Sequence, residues 1–217
     1  MVSASDWWEG LTHYNTVIFP LQIFVMVVAV VLTAWIRFRP GKGADIAMKI
    51  FLSCSMLFNG ILFFLVLGTK LAAPLKYIQG GLFITIGILF LLDLFTGWSE
   101  FTFPEKGIYR NLIYILLVFV LLYPVLGLMR GHGYTQLIYP GTLPCGSTAF
   151  ALVILQASLP KVKKLLILLL LIWALPFAPF VQIPQFKVYE DAIMFLTGIS
   201  ALILLIKRGK KKERVAL

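Results

Sequence analysis

The sequence predicts an all-α fold: a polytopic bundle of seven transmembrane helices, N-terminus outside and C-terminus cytoplasmic. Three observations predict it. The 217 residues are 60% hydrophobic and 13% charged, where soluble domains are about 45–50% apolar and about 25% charged. Mean hydropathy is +0.96, so lipid must solvate much of the surface. The apolar residues gather into seven runs, each close to the roughly 20 residues that cross a hydrocarbon core. The basic residues lie in clusters between those runs, on alternate connections.

Residues 1–16 form an extracytoplasmic segment in which Trp7 and Trp8 predict a short interfacial helix. The stretch has no basic n-region, so it reads as no cleavable signal peptide. Val2 stands where myristoylation needs glycine, and no CaaX box follows at the other end. The spans are expected at 17–36, 50–68, 77–97, 111–129, 142–159, 165–183 and 188–206, making 17–206 the transmembrane unit. The fifth is short. The sixth carries Pro176 and Pro179, each of which removes a backbone hydrogen bond and breaks the helix in its outer half. The seventh opens on Glu190 and Asp191, of which at most one is expected to face the bundle axis, adjacent helical residues pointing about 100° apart. Residues 207–217, "KRGKKKERVAL", read as a polybasic cytoplasmic tail in contact with anionic lipid.

Orientation follows from lysine and arginine asymmetry. With seven spans, only Lys70, Lys76, Arg130 and Lys187 fall on the outer side. The other fifteen of the 19 basic residues, among them Arg37, Arg39, Lys49, Lys106, Lys161 and Lys207, fall on the inner side. This predicts a multi-pass protein of the plasma (inner) membrane whose partner is the lipid bilayer. Net charge +10 does not point to nucleic acid, because the charge is split into clusters and not spread over one soluble face.

Polar residues at membrane depth are costly and draw attention. Asn59, Gln22, Thr33 and Gln156 are expected to make interhelical hydrogen bonds. Asp93 is expected to reach the interface near Trp98. The stretch "RGHGYTQLIYPGTLPCGST", residues 130–148, holds one of two histidines and one of two cysteines. Two glycines free the backbone beside His132. Pro144 suits the first helical position, with Thr142 as a cap. Cys145 then lies in the first turn, where free amides favour a thiolate. The segment is expected to cap the outer mouth of the bundle, partly re-entrant, with Asn15, Tyr134 and Asp191 nearby.

Four functions compete. A transport or binding protein for a small solute or ion would use an outward-facing polar pocket of Asn15, Asn59, His132, Tyr134, Cys145 and Asp191. A metal or redox role would use His13, His132 and Cys145, suitable ligand types without a metal-binding spacing. A hydrolase built on Ser147, His132 and Asp191 lacks a nucleophile-elbow motif, which weighs against an enzyme. An accessory subunit without chemistry would use the small-residue spacing Gly127–Gly131 as a packing face. Composition and spacing single out no cofactor.

The motifs "HYNTVIFPLQ", "YPVLGLMRGHGY" leading to "YPGTLPCGSTAFALVIL", and "VYEDAIMFLTGISAL" resemble the bacterial and archaeal family of small integral membrane proteins known as domain of unknown function 6064. The resemblance extends over the whole chain in size and span order. Family members often have proline after the cysteine, where this chain has Gly146. The resemblance implies the fold and no established activity.

Overall fold

The computed structural model describes residues 3–67 and 73–215. The Gly68 end of the second expected span, Lys70 and the side chains of the basic tail from Arg208 onward lie outside the described residues. Among the described residues the chain is entirely helical: α1 (Ala4–Ile18), α2 (Leu21–Phe38), α3 (Lys42–Phe58), α4 (Ala73–Thr96), α5 (Ile108–Leu121), α6 (Tyr123–Met129), α7 (Pro144–Ala157), α8 (Lys164–Phe177), α9 (Ile183–Phe186) and α10 (Ala192–Val215). α3 continues into a nine-residue π-helical segment, Asn59–Leu67. α8 continues through a second π-helical turn, Ala178–Gln182, into α9.

Five helical stretches are long and apolar enough to cross a membrane: Leu21–Phe38, Lys42–Leu67, Leu75–Thr96, Lys164–Phe186 and Tyr189–Lys207. A sixth arises if α5 and α6, which meet at a bend of 58°, act as one. The fifth expected span, 142–159, departs from the pattern. α7 has 14 residues, about 21 Å at 1.5 Å per residue, against a hydrocarbon core of about 30 Å. Every residue from 137 to 159 is buried. A helix apolar all round belongs in an interior, and α7 is packed among α3, α5, α8 and α10. The other helices instead present exposed apolar faces, among them Phe24, Val27, Ile88, Phe95, Val118, Ile172 and Leu196.

Hydrogen bonds sort the connections into two ends. At one end α1 holds the 130–143 loop and the α9 region: Tyr14 Oη donates to Thr142 O at 2.6 Å, and Trp8 Nε1 donates to Phe186 O at 3.0 Å. At the opposite end the 97–110 connection meets the turn after α7. Glu100 N donates to Lys161 O at 2.8 Å, and Thr102 N to Ser158 Oγ at 3.0 Å.

Asp93 does not reach an interface. It is fully buried, where its Oδ1 accepts from Ser99 N at 2.9 Å and faces Lys49 Nζ at 3.5 Å. Lys49, expected among the solvated inner charges, is itself buried and bonds Asp45 at 2.8 Å. Asp45 in turn accepts from Phe101 N at 2.8 Å. One buried lysine between two aspartates therefore pins the α3 and α4 ends to the following loop. A buried ion excluded from water needs an opposite charge in contact, and the spacing of these three in the sequence disguised that.

Gln22 and Gln156 do bond between helices, Gln22 Nε2 to Asn15 Oδ1 at 2.6 Å and Gln156 Nε2 to Thr197 O at 3.1 Å. Thr33 instead donates to Ala29 O of its own helix.

α3 and α4 approach most closely at glycines. A Cβ on Gly60 would stand 2.7 Å from Ile84 Cγ1 and 2.9 Å from Gly80 O. One on Gly87 would stand 2.7 Å from Leu57 Cγ. Backbone atoms cannot yield as a side-chain tip does, so Gly60→Ala is expected to cost about 1–3 kcal/mol. Gly10→Ala, with open space around it, is expected to be neutral or slightly stabilising. Unfolding midpoints of the two variants in detergent check the contrast. Lys49→Met leaves the buried Asp93 and the partly buried Asp45 without a cation and is expected to cost about 3–5 kcal/mol in the same assay; a loss under 1 kcal/mol would contradict the pinning role.

Candidate functional site

The 130–148 segment is built to turn inward. Gly131 and Gly141 both have positive φ, 87° and 98°. Gly141 is also hemmed in: a Cβ there would stand 2.4 Å from Val25 Cγ1, so only glycine fits. The loop then descends as buried chain to α7, whose first residue is Pro144, as its missing N–H suits. The cap is Leu143, without a side-chain bond, and not Thr142. Gly146 lies against the loop's own backbone, with a Cβ position 3.0 Å from Pro140 N. That contact explains why a small residue follows the cysteine here.

Three side chains hold the segment. Asn15 Nδ2 donates to Thr135 O and to Leu137 O, both at 2.9 Å. Tyr14 donates to Thr142 O; burial pushes its phenol up from the ordinary value, so it remains a donor. Asn59 Nδ2 donates to Ser147 Oγ at 2.9 Å, and the same oxygen accepts from Gly141 N at 3.0 Å. Asn15 and Asn59 are thus fastenings of the loop and do not line a pocket.

Two polar pairs lie under the loop. His132 Nδ1 faces Glu190 Oε1 at 2.8 Å, with the Trp8 ring 4.5 Å from the imidazole. Gly127 makes the room, since a Cβ there would stand 3.2 Å from Glu190 Oε1. Gly131 touches nothing comparable, so the two glycines do not form a shared packing face. Beside this pair Asp191 accepts from Tyr123 Oη at 3.1 Å, and the Cys145 thiol lies next to it and to the Trp173 indole. Both acids are buried. They occupy a 3₁₀ turn, Tyr189–Asp191, and each points to a different partner. Glu190 Oε2 and Asp191 Oδ2 have no hydrogen-bond partner among the described residues.

Cys145 also borders a cavity of about 300 Å³ between α1, the π-helical segment after α3, α4, the start of α7 and the α8–α9 region. Its walls are mostly aromatic: Trp7, Phe63, Phe64, Trp173, Phe177 and Phe186. Trp173 stacks on Phe177 at 3.9 Å, and Trp7 on Phe186 at 5.2 Å. The polar groups bordering it include Gln79, Gln182 and Cys145. Gln79 Oε1, Gln182 Oε1 and Trp173 Nε1 are buried and make no aligned hydrogen bond among the described residues. Both π-helical segments contribute, through Phe63 and Phe64 and through Val181 and Gln182. Wide turns of this kind occur often at functional sites.

The expected polar pocket is therefore an apolar one. Of its six candidate residues, Cys145 borders the cavity and Asp191 supports it from behind. His132 pairs with Glu190 nearby, Asn15 and Asn59 fasten the loop, and Tyr134 is exposed, edge-on to Phe19. His13 is exposed, and no group of three or more His, Cys, Asp or Glu able to hold a metal occurs among the described residues. Ser147 faces Asn59 and Gly141, away from His132. Sequence reasoning missed Trp173, Gln79, Gln182 and the aromatic walls, which look like ordinary span residues. The one signal was "WALPFAPFVQIP", whose prolines bracket the second wide turn.

These features define an all-helical protein with membrane-length apolar helices around an aromatic cavity. The chain belongs to a family of unknown function (DUF6064), which matches residues 4–216. No curated protein and no solved structure matches it.

Asn15→Ala strands two loop carbonyls and Gln22. It is expected to cost about 1–3 kcal/mol and to speed tryptic cleavage after Arg130. Cleavage unchanged from wild type would mean that Asn15 does not hold the loop.

Proposed function

We propose that the protein is an integral membrane protein that binds a small amphiphilic molecule in the aromatic cavity at its α1 end. The single observation that carries this reading is the cavity itself. Apolar walls with a few convergent polar groups are the usual anatomy of a small-molecule site. Three of those polar groups are buried without good partners, and such groups cost about 1–3 kcal/mol each until something satisfies them. The cavity's lining includes the half-exposed Leu75 and the exposed Gln185.

The membrane part of the reading rests on the exposed apolar faces of the long helices, which water would solvate poorly. The α1 end faces outward and the end bearing Arg37, Arg39, Lys106, Arg110 and Lys161 faces the cytoplasm. α7 carries the chain from one end to the other inside the protein, so that seven passages leave six helical units facing lipid. The tail from Lys207 contacts anionic headgroups on the cytoplasmic side. Reporters fused to the two termini are expected to report opposite compartments; the same compartment for both would overturn the orientation.

Binding is tested by extracting small molecules from protein purified under mild conditions and by native mass spectrometry. Wild type is expected to retain one amphiphile per chain. Val181→Phe, which fills the cavity from the π-helical turn, is expected to lose it while unfolding at an unchanged temperature. Equal retention by both would place the molecule elsewhere and defeat the proposal.

A further inference from the structure

We infer that the molecule held in this cavity is an uncharged, planar, ring-shaped compound carrying at least two oxygens, of the quinone or quinol class. The inference rests on the proposed binding role and specifies its chemistry.

Charge comes first. Among the described residues, no Lys, Arg, His, Asp or Glu borders the cavity. A carboxylate or phosphate head placed there would lose its hydration without gaining a cation, which is strongly unfavourable. Fatty acids and phospholipid headgroups are thus poor occupants. A cationic head fares no better, because the nearest carboxylate, Asp191, stands behind Cys145 and not in the wall.

Shape comes second. Six aromatic rings from α1, the segment after α3 and the α8–α9 region surround the space. Aromatic pairs gain energy beyond area burial in stacked and edge-on arrangements. A flat ring exploits these walls better than a flexible alkyl chain, which would also lose rotamer freedom on entering.

Hydrogen bonding comes third. Trp173 Nε1 is a donor only, and the Cys145 sulfur beside it is a weak acceptor. The indole N–H needs an oxygen acceptor. Gln79 and Gln182, both more than nine-tenths buried, each bring an unmet amide oxygen that can take a hydrogen bond from a quinol hydroxyl, beside an NH2 group that can give one to a quinone oxygen. These groups come from three different elements, α8, α4 and the second π-helical turn. A ring with oxygens on separate positions meets more than one of them at once, whereas an alcohol with a single head meets one.

The test uses full-length protein in lipid nanodiscs and tritiated decylbenzoquinone, partitioned between protein-loaded and empty discs. Saturable binding at one site per chain is expected. Trp173→Phe and Gln182→Leu, which keep size and remove the polar group, are each expected to weaken it about tenfold, equivalent to about 1.4 kcal/mol. Their thermal unfolding without quinone separates loss of the site from loss of the fold. Unlabelled oleate and dodecanol are the competitors. If either displaces the quinone at equal or lower concentration, the ring assignment fails while amphiphile binding stands. If none of the three binds saturably to wild type, both readings fail.

Discussion

The helix α7 is the constraint on which the rest depends. Fourteen residues with no face toward the surroundings demand that neighbours close around them completely. Its polar groups must then be met from within. Ser147 is met by Asn59 and Gly141, the Gln156 amide nitrogen by Thr197 O and the Gln156 carbonyl by the phenol of Tyr109, while Thr148 Oγ1 and Gln156 Oε1 have no partner among the described residues. With no water in such an interior, each unmet group would cost several kcal/mol. The loop before α7 is consequently as ordered as a helix, and α1 exists largely to fasten it.

That arrangement also creates the space beside it. α7 starts below the surface of the bundle, so its first turn leaves a gap that α1 and α9 cover only partly. The two wide turns enlarge the gap by pushing Phe63, Phe64 and Gln182 out of α-helical register. Cys145 thus has two neighbourhoods, a polar one of Asp191 and Tyr123 and an aromatic one centred on Trp173. The His132–Glu190 pair lies a step farther out, partly open to the surface.

Long apolar runs were legible because hydropathy depends only on composition over a window. The break in "WALPFAPFVQIP" was legible because proline cannot donate a hydrogen bond. The inward turn of the 130–148 segment was legible from its glycines, and its pairing with Asp191 from chain order alone. The burial of α7 was not, because a buried helix and a lipid-facing helix have the same apolar composition. The shortness of the apolar run 142–159 was the only clue. The Lys49–Asp93 pairing was hidden by 44 residues of separation, and each charge taken alone suits an interface. The cavity walls were hidden for a related reason: phenylalanine and tryptophan look alike whether they face lipid, protein or a ligand. Only three-dimensional packing separates those roles.

The wide turn after α3 has an evolutionary corollary. A turn closed from residue i to i+5 holds one residue more than an α-turn. Removing a single amino acid from Asn59–Leu67 would take up that extra residue and let the turn relax to ordinary helix, with the flanking register nearly kept. The bulge that carries Phe63 and Phe64 to the cavity wall would be lost while the bundle around it kept its packing. A one-residue deletion here is thus a short evolutionary route to a homologue that keeps the fold and lacks the cavity.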